Sequence, residues 1–206
     1  VRTAAAVLYV YAVLTAPPRV TGVGLDGVPL RVVAGKRLVA VVGDHTRAPE
    51  LGDDQLATHE ALISRLLAEG PVLPLRFGTT VSDEEALRDW LRDEEDELLV
   101  LLEALDGAVE LSVRADLPAG SDLRERLHRS LAEHARRAIL FAPAPGSGRL
   151  RAAYLVDGEH IGAFATAVER LEKELAIELS CTGPWPPYSF VNERGATPGG
   201  SVFRRR

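Results

Sequence analysis

Leu150-Arg151-Ala152-Ala153-Tyr154-Leu155-Val156 is a short, mainly apolar run that reads as a strand, with a turn-rich loop, Pro143–Gly148, before it. Asp157 or Gly158 opens a helix after it, in which Ile161, Phe164, Val168, Leu171 and Leu175 recur at spacings of three and four, one amphipathic stripe. Upstream of that loop, Ile139–Ala142 reads as a short strand, and Ser121 caps a helix bearing Leu123, Leu127 and Leu131. Val109–Ala115 alternates as a strand with Val109, Leu111 and Val113 on one face, and Ile177–Cys181 closes the series. The order β-α-β-β-α-β is that of the ferredoxin-like split arrangement. It predicts a four-stranded antiparallel sheet covered by helices over 121–137 and 158–175.

The first half reads differently. Val7–Leu14 is apolar and rich in Val and Tyr, as a buried strand is, and Pro17-Pro18 follow it. Pro29–Val33 and Arg37–Val42 are two strands joined by the short link Ala34-Gly35-Lys36. Asp53 or Asp54 caps a helix running to about Glu69, with Leu56, Ile63, Leu66 and Leu67 on one side. Val72–Thr79 is an extended apolar segment. Ser82-Asp83-Glu84-Glu85 has the form of a capping box with Ser82 as the cap, opening a helix with Leu87, Trp90, Leu91, Leu98, Leu102 and Leu105. The chain is therefore expected to be α+β with two domains, 1–107 and 108–192, and a disordered tail over 193–206.

Composition sets the class. Of 206 residues 46% are hydrophobic and 26% charged, enough for a packed core and unlike a disordered chain. A net charge of −6 and a pI near 5.4 speak against nucleic acid as a partner. The one cysteine, Cys181, has no internal disulfide partner and reads as a buried thiol in a reducing cytoplasm. The run Ala4–Leu14 is 11 residues, short of a bilayer span, so no membrane association is expected. Acidity is concentrated: residues 82–110 carry 12 acids and 2 bases, a net of −10. Within them Asp93-Glu94-Glu95-Asp96-Glu97 radiate around a helix, too widely to hold one ion. They read as a solvated surface that assists encounter with a basic partner.

Several chemistries fail on spacing. Gly22-Val23-Gly24-Leu25-Asp26-Gly27 matches a dinucleotide fingerprint, but Pro29 and Val32-Val33 favour extended chain where a helix would have to start. It reads as a glycine-rich connection. His45, His59, His128, His134 and His160 form no metal pattern and are expected to be solvated or capping. No catalytic, cofactor or metal residue is assigned. Two features remain: Arg76, a charge inside an apolar segment, and Thr182–Val191, which combines three prolines with the three aromatics Trp185, Tyr188 and Phe190.

Val72-Leu73-Pro74-Leu75-Arg76-Phe77-Gly78-Thr79 and Thr182-Gly183-Pro184-Trp185-Pro186-Pro187-Tyr188-Ser189-Phe190-Val191 closely resemble the two signatures of the gas vesicle protein GvpF/GvpL family. Tyr9-Val10-Tyr11-Ala12-Val13, Gly22-Val23-Gly24, His59-Glu60 and Ala153-Tyr154-Leu155-Val156 are similar to that family too, and the likeness covers about residues 5–192. It implies an N-terminal α+β domain packed on a ferredoxin-like domain, without enzymatic activity or cofactor. It also implies a minor protein at the gas vesicle in the cytoplasm. Such a protein binds the hydrophobic shell protein GvpA, keeps it from aggregating during nucleation, and contacts other accessory gas vesicle proteins. Arg76, Trp185, Tyr188 and Phe190 are then expected at a partner-binding or interdomain surface, with the aromatic-proline segment bracing the domain junction. The competing expectation is a ferredoxin-like small-molecule enzyme or sensor, which would need a cleft with convergent polar groups.

Overall fold

The computed structural model describes residues 7–119, 121–144 and 146–192. The expected tail over 193–206 lies outside the described residues. The architecture is α+β, in two compact units: the chain up to Asp106 together with its return from Phe190, and Gly107–Ser189.

The first unit is built on β1 (Val7–Leu14), whose residues 8–14 are all buried. β2 (Arg31–Ala34) and β3 (Val39–His45) form the expected hairpin, closed by the Gly35 N–H on Leu38 O at 2.8 Å. β3 pairs antiparallel with β1, with a bulge at Tyr11 between Val10 and Ala12. α1 (Asp53–Leu67) follows; Gly52 precedes it, and no side-chain bond caps it, so neither Asp53 nor Asp54 is the cap. Its buried stripe is His59, Leu62, Ile63 and Leu66; Leu56 is exposed. β4 (Leu73–Pro74) and β5 (Thr80–Val81) then pair with opposite halves of β1. The sheet order is β2-β3-β1-β4, with β5 beside β1.

The helix expected after Ser82 differs in two ways. Asp83, not Ser82, is the cap, its Oδ1 accepting the Ala86 N–H at 2.8 Å. The helix is also divided at Glu94 (φ −102°, ψ 6°) into α2 (Glu84–Asp93) and α3 (Glu95–Leu105). That division puts Glu95, Asp96 and Glu97 in the first turn of α3, where acidic side chains complement the free N–H groups.

The second unit runs β6 (Ala108–Ala115), α4 (Leu123–Ala132), β7 (Arg137–Leu140), β8 (Leu150–Asp157), α5 (Ile161–Leu175) and β9 (Ser180–Trp185), then α6 (Tyr188–Asn192) leads out of it. The sheet order is β7-β8-β6-β9 and every pairing is antiparallel. Leu127 and Leu131 of α4 and Phe164, Val168 and Leu171 of α5 pack with Leu111, Val113, Ala152, Tyr154 and Val156 on one face of the sheet. Ser121 does not cap α4; its hydroxyl donates to Pro118 O at 2.8 Å, and Asp122 precedes the helix.

The closing strand is displaced from the expected Ile177–Cys181. Ala176 takes the left-handed conformation (φ 50°), and Glu172 holds the exit, its Oε1 accepting the Leu179 N–H at 2.7 Å and its carbonyl the Ile177 N–H at 3.3 Å. Ile177 and Leu179 are thereby used up in leaving the helix. Pairing begins at Ser180. Since β9 is the terminal strand, all six of its residues are exposed, Cys181 among them, which corrects the expected buried thiol. Among the described residues no helix is long and apolar enough to cross a membrane.

Candidate functional site

Tyr9 and Tyr11 are two apart on β1 and so share a face of the sheet. Both are fully buried, with ring centroids 4.7 Å apart. His59 of α1 stacks on Tyr11 at 5.7 Å and meets Tyr9 edge-on at 5.8 Å. Its Nε2 lies 3.0 Å from Leu75 O, which can only accept, so Nε2 carries the proton. Nδ1 is then the acceptor of the Tyr9 hydroxyl at 3.0 Å, and that hydroxyl oxygen accepts the Gly78 N–H at 3.0 Å. Burial lowers the His59 pKa to about 4, opposed by the bond to Leu75, and the ring is neutral at physiological pH. Burial likewise raises the pKa of both tyrosines, Tyr9 strongly.

This network fixes the segment between β4 and β5. The Leu75 N–H donates to Tyr11 O at 2.9 Å, and Thr79 N–H closes a turn on Arg76 O at 3.1 Å. Gly78, third in that turn, has φ +87°, the conformation a type II turn reserves for glycine. Phe77 turns inward, 5.8 Å from His59 and 6.0 Å from Tyr9, while Arg76 is exposed. The Arg76 guanidinium carries no ion pair among the described residues. The glycine motif serves the same cluster: the Leu25 N–H donates to the Tyr11 hydroxyl at 2.9 Å, and a Cβ on Gly24 would collide with that hydroxyl. It is a cradle for a tyrosine, not for a phosphate.

His59 is therefore a core residue, against the expectation of solvated histidines. His45 is also buried, with its ring 5.8 Å from Tyr9 and Nδ1 3.7 Å from Asp26 Oδ2. The signal for His59 was its place three and four residues before Leu62 and Ile63. Tyr9 and Tyr11 were legible as one face of a strand, but not what they would grip.

In the second unit the aromatic-proline segment starts on β9. Trp185 is 45% exposed, with its Nε1 3.4 Å from the Thr182 hydroxyl. Gly183 has φ +129°, and a Cβ there would sit 2.7 Å from Glu110 O. Glu110 is buried near the start of β6 and accepts from Ser189 twice, from N at 2.9 Å and Oγ at 2.7 Å. Burial raises its pKa, and the two Ser189 bonds oppose the rise. Sequence reasoning missed this anchor. Tyr188 is partly buried, and Phe190, where the chain rejoins the first unit, is wholly buried. Of the three aromatics, Trp185 alone is offered to solvent.

The acidic residues are partly committed. Glu95 accepts the backbone N–H of Arg37 at 3.0 Å, Asp96 lies 3.7 Å from the Arg37 guanidinium, and Asp93 lies 3.6 Å from that of Arg92. Glu94 is partly buried, and Glu97 is exposed. Among the described residues no group of three or more His, Cys, Asp or Glu is placed to hold a metal.

The pieces gathered around Tyr9 and His59 come from residues 9–11, 24–25, 59 and 75–79. The family model for gas vesicle synthesis protein GvpL/GvpF matches residues 7–125 and 119–192. This chain belongs to the GvpL/GvpF family. Gas vesicle protein L of a Streptomyces species is 30% identical over 82% of this chain and 85% of its own length. Gas vesicle protein F1 of Halobacterium salinarum is 30% identical over 76% of this chain and 78% of its own. Crystal structures of GvpF from Anabaena sp. and from Microcystis aeruginosa share the fold, with TM-scores of 0.77 and 0.74 at 20% and 17% identity, each over 90% of this chain and over 96% and 98% of theirs.

Proposed function

We propose that this protein is a minor, non-enzymatic accessory protein of gas vesicle assembly in the cytoplasm. In this reading it binds the hydrophobic shell protein GvpA, keeps it from aggregating during nucleation, and contacts other accessory proteins. The observation that carries the reading is the GvpL/GvpF match over residues 7–192, which includes both the Arg76 turn and the aromatic-proline segment. The chemistry supports it. A shell that excludes water on one side needs subunits with an apolar face, and such faces associate indiscriminately unless held. The Tyr9–His59 cluster, where burial shifts the pKa values of three neighbouring groups, is buried and spends its protons on fixing a turn. It therefore has the character of a support rather than a reaction centre. We read the second unit as ferredoxin-like, in view of its β-α-β-β-α-β order and its strand order. Arg76 and Trp185 are assigned to partner contact because they are exposed, and Tyr188 and Phe190 to bracing because they are not. Co-expression tests the function. With this protein present, GvpA should stay in the soluble fraction and co-purify with it; GvpA equally insoluble with and without it would refute the reading.

A further inference from the structure

α3 carries Leu98-Leu99-Val100-Leu101-Leu102, five apolar residues in a row. A helix packed on one side buries a stripe, not five consecutive positions. Leu98, Leu101, Leu102 and Leu105 take the core, leaving Val100 54% exposed and Leu99 partly so. These two, with Pro71, line an open recess of about 540 Å³ in the first unit, and Asp96, Glu103 and Asp106 are on its rim. The cation in that lining, Arg37, already faces Asp96. The recess thus joins apolar surface to negative charge, inside a stretch of net charge −10.

We propose that this recess is a docking site for a segment of another protein that inserts one or two apolar side chains and sets an adjacent Lys or Arg against Glu103. The acidic rim selects the sign of the partner's charge, and the apolar floor supplies the affinity that exposed charges do not. The inference rests on the proposed function in one respect: it takes the shell protein as the chain that carries this segment. The acids of α3 then have two separate uses. Glu95 and Asp96 hold Arg37 and the start of the helix, and Glu103 faces the partner.

The test is co-expression of the shell protein with the unaltered chain, with Val100→Arg and with Glu103→Arg, followed by co-purification. Both substitutions lie on the outer side of α3 and put a good helix former there, and thermal melting confirms that the fold is kept. Val100→Arg should lower the retained shell protein about tenfold, the scale of a lost interface anchor. Glu103→Arg should lower it at low salt and much less at high salt. Retention by the unaltered chain and equally by Val100→Arg overturns the recess while leaving the gas vesicle reading intact; no retention by the unaltered chain overturns that reading itself. A chain ending at Asn192 that binds far more tightly, with Val100→Arg then without effect, would show that the chain's own tail is the occupant and overturn the proposal. So would a dimer that Val100→Arg splits without loss of shell protein.

Discussion

His59 lies on α1 with Leu62, Ile63 and Leu66 and shares their burial, and its two ring nitrogens are fixed by partners 16 and 50 residues away. Its pKa falls to about 4 in the fold, against 6.5 when exposed. Between those values the unfolded chain takes up a proton that the folded chain refuses. Stability from this group is therefore complete above about pH 6.5 and is lost as pH falls toward 4, a swing of about 3 kcal/mol. In His59→Gln the urea midpoint at pH 7 should be lower, because the bonds to Tyr9 and Leu75 are altered. Its further drop on going to pH 4.5 should be smaller than that of the unaltered chain. Equal drops in both would show that His59 is not the acid-sensitive group. Glu110 has the opposite sign: its pKa is raised, so its contribution is greatest below the unfolded value and declines as pH rises through the folded one.

At the scale of elements, the aromatic-proline segment divides in two. In sequence it is one run of prolines and rings; in the fold Trp185 stands on an exposed terminal strand, while Phe190 is buried and Ser189 is held by Glu110. Phe190→Ala should cost about 3–5 kcal/mol by chemical denaturation, as removal of a buried ring does. Trp185→Ala should cost about 1 kcal/mol or less and act on partner binding instead. Comparable losses from both would return Trp185 to a bracing role. The strand boundaries show the limits of local pattern. Val7–Leu14 was legible to the residue, because a buried strand is written in its own apolar run. The start of β9 was not, because Glu172, on the preceding helix, decides where pairing can begin.

For the whole molecule, the uneven charge is the feature with consequences at a distance. Residues 82–110 hold more negative charge than the chain's net −6, so the remainder is slightly positive. A field of that kind acts on approach rather than on the bound state, and physiological salt screens it beyond about 8 Å. Replacing Asp93, Glu94 and Glu97 with Asn, Gln and Gln should slow association with the shell protein at low salt. At high salt the rate should match that of the unaltered chain. A rate unaffected at both salt concentrations would dismiss the steering role.

Read locally, the amino-acid sequence carried the α+β class, the family and the β-α-β-β-α-β order of the second half, since apolar periodicity and turn residues are local properties readable within ten residues. It took the folded chain to bring Tyr9, Tyr11, His59 and Gly78 together, to set Ser189 on Glu110, and to leave Leu99 and Val100 outside the core. Periodicity says which face of an element is apolar. It does not say which other element covers that face, or where the covering stops, because those are settled by contacts between residues as far apart as 69 and 79 positions.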